Sequence, residues 1–197
     1  MASTAEALER LCDPAWEVSA HYLLAEDGEV LALVPEEMRA WHAGAGRWGE
    51  VTDVNSRSIG IELQNRGFHP FSQRQMRALE RLLDDILSRW HIPPERVIGH
   101  SDMAPARKAD PGPRFDWRRL AHSGLSVWPE EGEGDLQELP TAFAAFGYDP
   151  GLSPDLALRA FRLRFRPWVD GPATARDAGA ALDLARRFPV DRRVAAP

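Results

Sequence analysis

The densest run of chemically capable residues is GHSDMAPARKADPGP, residues 99–113, which carries His100, Asp102, Lys108 and Asp110 within eleven positions. Three prolines interrupt it, so the segment is expected to fold back as a loop rather than continue as a regular helix. A histidine at a strand end and a carboxylate ten residues later can converge on one cation. Imidazole nitrogen and carboxylate oxygen are both ordinary zinc ligands, and a catalytic zinc commonly takes three protein ligands and a water. The plain alternative is a surface loop with a capping aspartate and a solvated lysine. Glu62, inside Ser58-Ile59-Gly60-Ile61-Glu62-Leu63, is a second candidate, since a carboxylate on a strand that faces a cleft can act as a base.

The elements that must position these residues can be read from local patterns. Ser3-x-x-Glu6 followed by Ala7, Leu8 and Leu11 reads as a capped amphipathic helix, ended by Asp13-Pro14. Cys12 is expected to be buried on its apolar side. Residues 17–24 and 29–34 flank a turn at Asp27-Gly28 and read as a β-hairpin. Residues 58–63 form a third strand, in which Gly60 signals a bulge or a close backbone approach. Met76, Leu79, Leu82, Leu83, Ile86 and Leu87 make one stripe of a helix from Gln73 to Trp90. Residues 96–99 read as a short buried strand delivering His100. The expected fold is therefore α/β, a mixed central sheet flanked by helices.

The sequence WPEEGEGDLQ, residues 128–137, is acidic and nearly devoid of apolar side chains and reads as a linker. Beyond it, Phe143, Phe146, Leu156, Leu158, Phe161, Phe165, Ala181, Leu182 and Leu184 recur at helical spacings. These indicate a small C-terminal domain of three short helices. The organisation expected is residues 1–127, a linker over 128–137, and residues 138–197.

Composition narrows the function. The 197 residues include 24 Lys or Arg against 30 Asp or Glu, a formal charge of −6. That balance argues against nucleic-acid binding, which needs a basic face. No run approaches the apolar length of a membrane span. The single cysteine excludes an intramolecular disulfide and a Cys-rich metal site.

Taken with VSAHYLL (18–24), RAWHAG (39–44) and NSRSIGIELQN (55–65), the segment GHSDMAPARKADPGPRFDW (99–117) resembles the zinc-dependent N-acetylmuramoyl-L-alanine amidases of the type-2, AmpD- and AmiD-like family, relatives of phage amidases and peptidoglycan recognition proteins. Four blocks occur in the family's order over roughly residues 2–125. The resemblance implies that His100 and Asp110 are two of three zinc ligands, Glu62 the general base and Lys108 the cation that stabilises the oxyanion. The cofactor implied is Zn2+. The reaction implied cleaves the amide between the lactyl group of N-acetylmuramic acid and L-alanine in peptidoglycan or muropeptides. His21 and His42 belong to the same motifs, with hydrogen bonding in the fold or lining of the cleft as their roles. Asn55 is expected to shape the loop before the Glu62 strand or touch substrate. Trp41 is either a cleft wall or a core aromatic, and Asp102 a support for the loop.

The family's first zinc ligand is a histidine on an opening strand, and no histidine precedes His21 here. Three explanations are open: a start assigned at an internal methionine, true loss of the strand, or replacement by His21 or His42. We expect the first, with a first strand missing from the sheet. The second would leave a non-catalytic peptidoglycan-recognition protein, the alternative function. FGYD (146–149), ALRAFRLRFRPW (157–168) and DGPATARDAGAALDLA (170–185) resemble a C-terminal peptidoglycan-binding helical domain. That places the protein in the bacterial envelope or periplasm, with the cytoplasm as the alternative; oligomeric state is not encoded in any pattern.

Overall fold

The computed structural model describes residues 3–67 and 69–191. Met1, on which the expectation about the start rests, and residues 192–197 of the C-terminal region lie outside them. Helix α1 (Thr4–Cys12) opens where the sequence signals it, with the Ser3 side chain accepting from Glu6 N at 3.1 Å. Its buried residues are Ala7 and Leu11. Cys12 is exposed rather than buried, because it closes the helix one step off that stripe.

The hairpin forms, but its strands are short. Strand β1 (Tyr22–Leu24) pairs antiparallel with β2 (Val30–Ala32) and parallel with β3 (Ile61–Leu63), giving the order β2-β1-β3. Gly28 at φ +94° makes the turn, at an angle that favours glycine. Strand alternation divides the sheet between two layers. Leu23 packs with α1 through Ala7 and Leu11, while Leu24 packs with α2 (Gln73–Trp90) through Met76, Leu79 and Leu83. The helix α2 has the limits its stripe predicts. Ser72 caps it, and the chain leaves it through His91 at φ 52°. Buried Gln75 donates to the carbonyls of Leu24 and Gln64, both at 3.0 Å, fastening the ends of β1 and β3 together.

Two expectations fail between residues 94 and 103. Residues 97–99 do not form a strand; a short 3-10 turn at Pro94–Arg96 leads into extended chain without a ladder. A strand exists only by hydrogen bonding to a neighbour, and β3, the edge of the sheet among the described residues, stands across a cavity from this segment. Next, His100–Met103 is a single helical turn, α3, rather than loop. The first proline, Pro105, falls after it and so does not forbid it.

The short helix α4 (Trp117–His122) adds Trp117 and Leu120 to the core beneath α2. Helices α5 (Leu139–Phe146), α6 (Pro154–Phe165) and α7 (Ala175–Arg187) follow. Their aromatic residues share one cluster with Ala43, Trp48, Val54, Met103 and Ala104. The segment before α5 lies against α7, with Glu130 N donating to Asp183 at 2.9 Å and Gly134 N to the Ala175 carbonyl at 2.8 Å.

Candidate active site

The cleft is built around Glu62. Its strand partner is Leu23, and it lines a cavity of about 500 Å³ together with His42, His100 and Asp110. Burial, and then the charge of Asp110, raise its proton affinity; His100 and Lys108 act in the opposite direction. A carboxylate in that state is suited to accept a proton during turnover. Asp110 behaves differently. Burial pushes its carboxyl up, but the hydrogen bond to His100 and the charges of His100 and Lys108 outweigh that and hold it below its ordinary value.

The two residues expected to share a cation are in contact. His100 Nδ1 is 3.1 Å from Asp110 Oδ2, and His100 Nε2 donates to the Ala43 carbonyl at 2.8 Å. Two donors on a tetrahedral zinc would stand about 3.3 Å apart, and a ligating imidazole usually gives its other N–H to a carbonyl or carboxylate. The pair therefore suits two corners of a zinc site. It does not complete one, since no group of three His, Cys, Asp or Glu capable of holding a metal occurs among the described residues.

Lys108 is exposed, on the loop that follows α3, with its N–H bonded to the Ala104 carbonyl at 3.0 Å. Its charge acts on both Glu62 and Asp110, lowering the proton affinity of each. Its neighbour Arg107, which has no signal of its own in the sequence, ties the loop down by donating to the carbonyls of Ala43 and Ala45.

His42 lines the cavity, and burial, then the nearby His21 and His100, push its pKa down to about 4, against a raising hydrogen bond at Ser58. Asn55 is buried with Oδ1 accepting from His42 N at 3.0 Å and Ala43 N at 2.8 Å. It thereby fixes the backbone whose carbonyl holds His100. His21 is fully buried, accepting from Gly60 N at 2.9 Å on Nδ1 and donating to the Met38 carbonyl at 3.0 Å from Nε2. Those bonds assign it to the fold. Gly60 is a close approach rather than a bulge: a Cβ there would stand 2.2 Å from the His42 ring. Trp41 is 56% exposed, stacked under Arg39 and outside the residues that line the cavity, so it is not a core aromatic.

Asp102 supports the loop as expected, with partners that sequence order conceals. Tyr148 and Arg164, 46 and 62 residues away, both donate to it at 2.9 Å.

A base of raised proton affinity, an exposed ammonium and an imidazole–carboxylate pair at the edge of a mixed sheet are the parts of an amide hydrolase. The chain belongs to the N-acetylmuramoyl-L-alanine amidase family, whose sequence model matches residues 1–113. It is 38% identical over 212 aligned positions to the N-acetylmuramoyl-L-alanine amidase AmiD of Escherichia coli (strain K12), covering 89% of this chain and 76% of AmiD. It is 41% identical over 110 positions to the 1,6-anhydro-N-acetylmuramyl-L-alanine amidase AmpD of Enterobacter cloacae, covering 56% of this chain and 58% of AmpD. The solved complex of E. coli AmiD with anhydro-N-acetylmuramic acid-L-Ala-D-gamma-Glu-L-Lys superposes with a TM-score of 0.86 at 35% identity, over 94% of this chain and 85% of AmiD. AmpDh3 of Pseudomonas aeruginosa, in complex with anhydromuramic pentapeptide, gives 0.84 at 30% identity, over 95% of this chain and 88% of that one. The mixed sheet flanked by helices is thus the family's fold.

Proposed function

We propose that this amidase hydrolyses the bond between the lactyl carboxyl of N-acetylmuramic acid and the stem-peptide L-alanine. The observation that carries the reading is Glu62, lining the cleft with raised proton affinity in the field of Asp110, His100 and Lys108. The relatives are named for this activity, and two are solved with anhydromuramyl peptides. In the proposed reaction Glu62 takes a proton from water as the oxygen bonds to the amide carbon. The charge of Lys108 faces the negative charge that grows on the carbonyl oxygen. Glu62 then returns the proton to the departing alanine nitrogen. Positioned bases contribute about 10²- to 10⁴-fold and one oxyanion donor about 10²- to 10³-fold.

Zinc dependence belongs to this proposal. Bound zinc would polarise the carbonyl and acidify water. The described residues offer His100 and Asp110 and stop short of a full donor set. The cavity supports a source for the remainder. It is lined by residues 61–63 of β3 and by residues 97–99, and by apolar side chains such as Leu79, Leu83, Ile86 and Phe115. Gly60 and Gln64 bond to β1, so alternation turns the N–H and C=O groups of Ile61 and Leu63 toward the cavity. We propose that an extended apolar segment from outside the described residues pairs with β3 there and supplies the third donor. The C-terminal helices are proposed to bind peptidoglycan and so hold the enzyme at its polymer, in the envelope or periplasm.

The test incubates the chain, alone and extended through the in-frame codons upstream of Met1, with zinc and anhydromuramyl tripeptide, and follows free peptide by mass spectrometry. Release by the extended chain with about one zinc bound is the expected result. Retention of the muropeptide by both forms, with no product, would instead establish the non-catalytic recognition function that the incomplete donor set favours.

A further inference from the structure

The single turn α3 holds His100 at its start and cannot orient itself. A four-residue helix has no stability of its own, because the cost of nucleation exceeds what so few hydrogen bonds return. Its direction has to be imposed by contacts, and those contacts converge on one side chain. Asp102 is 1% exposed and accepts three hydrogen bonds: from Gly99 N at 2.8 Å, from Tyr148 Oη at 2.9 Å and from Arg164 Nη1 at 2.9 Å. The first caps α3 itself. The other two come from the chain after α5 and from α6.

Arg164 is itself held from several sides. It is 2% exposed, donates also to the Val97 carbonyl at 2.9 Å and to Ser126 Oγ at 3.1 Å, and stacks 4.2 Å from the Trp117 ring centroid. It thus grips the chain on both sides of α3's entry, at residues 97 and 102. Tyr148 is 1% exposed and wedged edge-on against Trp48 and Phe143.

A buried ion pair is weak evidence for a stabilising role, since a well-packed apolar replacement is often as stable. What a fixed guanidinium and a fixed phenol provide is direction, and one residue away Ser101 N also bonds to the Asp110 carbonyl at 2.9 Å. We infer that Tyr148 and Arg164 are positioning residues for the amidase site: through Asp102 they set the orientation of α3 and hence the His100–Asp110 pair. The C-terminal helices accordingly complete the active site in addition to any binding of polymer. This inference rests on the assignment of His100 and Asp110 to the site.

The experiment uses the full chain labelled with 15N-histidine and compares Tyr148→Phe and Arg164→Met with Arg162→Met. Arg162 lies on the same helix in a buried pair with Asp177, at 2.6 Å, and its hydrogen bonds go to Asp177, Gly171 and Pro172. Ring-nitrogen shifts of His100 and thermal midpoints are measured on this chain, and kcat and KM on anhydromuramyl tripeptide on its zinc-supplied, upstream-extended form. The expected result is that Tyr148→Phe and Arg164→Met move the His100 ring signals and lower kcat about tenfold with KM within twofold. Arg162→Met lowers the midpoint and leaves the His100 signals in place. If Arg164→Met does not fold, Tyr148→Phe decides alone, because it removes one hydroxyl and keeps the ring. Unchanged His100 signals in folded Tyr148→Phe would overturn the inference. The ring spectrum is read without turnover, so inactivity of the zinc-supplied, upstream-extended form would count against the proposed reaction and leave this result standing.

Discussion

His42 and Glu62 line the same cleft and respond to burial in opposite ways, because the imidazole is charged when protonated and the carboxylate when not. Burial therefore keeps His42 neutral and makes Glu62 hold a proton more readily. The consequence for His42 can be measured. Its pKa of about 4 lies below the 6.5 of an unfolded histidine, so the unfolded chain binds the extra proton first as pH falls. The stability it contributes is complete above pH 6.5 and is lost progressively down to pH 4, by roughly 3 kcal/mol. Denaturant midpoints across that window should fall with acidification, and less steeply in His42→Gln. Equal slopes in the two proteins would remove His42 from the account. Asn55 contributes here through the backbone: its two bonds hold residues 42–43, whose Ala43 carbonyl in turn holds His100.

At the scale of elements, β1 and β3 are three residues long and depend on the groups that clamp their ends. Gly60 is one such point, with its N–H on His21 and its carbonyl accepting from His21 N and Tyr22 N. The backbone there cannot yield, and a methyl would overlap the His42 ring. Gly60→Ala is expected to cost about 3 kcal/mol or more in a urea melt and to disturb the cleft. Glu36 is a second clamp, joining Tyr22 of β1 to Arg89 and Trp90 at the end of α2. Burial raises its pKa, but bonds from Arg89, Tyr22 and Trp90 outweigh this and lower it to about 2. Its stabilisation is thus present above pH 4.5 and lost as pH falls toward 2. Glu36→Ala should destabilise by about 1–3 kcal/mol at pH 7 and very little at pH 2. A constant difference across pH would contradict the clamp. What the sequence made legible at this scale was local. The stripe from Met76 to Leu87 predicts α2 from Gln73 to Trp90, as observed, because a helix satisfies its own backbone. Residues 96–99 have the composition of a strand but no ladder, since pairing depends on a neighbour that composition does not reveal. The bond from Asp102 to Arg164 spans 62 residues and carries no periodic signature at all.

In the whole molecule, α5–α7 and the cleft are joined through Trp48. It lies edge-on to Phe146 and Tyr148, and the close passage of Gly147 over its ring leaves no room for a Cβ. Met103, the last residue of α3, and Ala104, which follows it, belong to the same cluster. Trp48→Ala should cost about 3–5 kcal/mol in a calorimetric or urea measurement. Loss of amidase turnover before global unfolding would mark the shared core as the route by which the C-terminal helices support the site, and turnover that persists until the midpoint would contradict that. Three residues that the motifs single out, Glu62, His100 and Asp110, line one cleft, whereas the cavity beside β3 and the grip of Arg164 emerge only when distant segments are brought together. The central claim remains the role of Glu62. Its most direct test is Glu62→Gln in the zinc-supplied, upstream-extended enzyme, with muropeptide affinity and stem-peptide release measured on the same protein. The account predicts retained binding and a loss of at least about 10²-fold in release; release within a few-fold of the unsubstituted enzyme would contradict it.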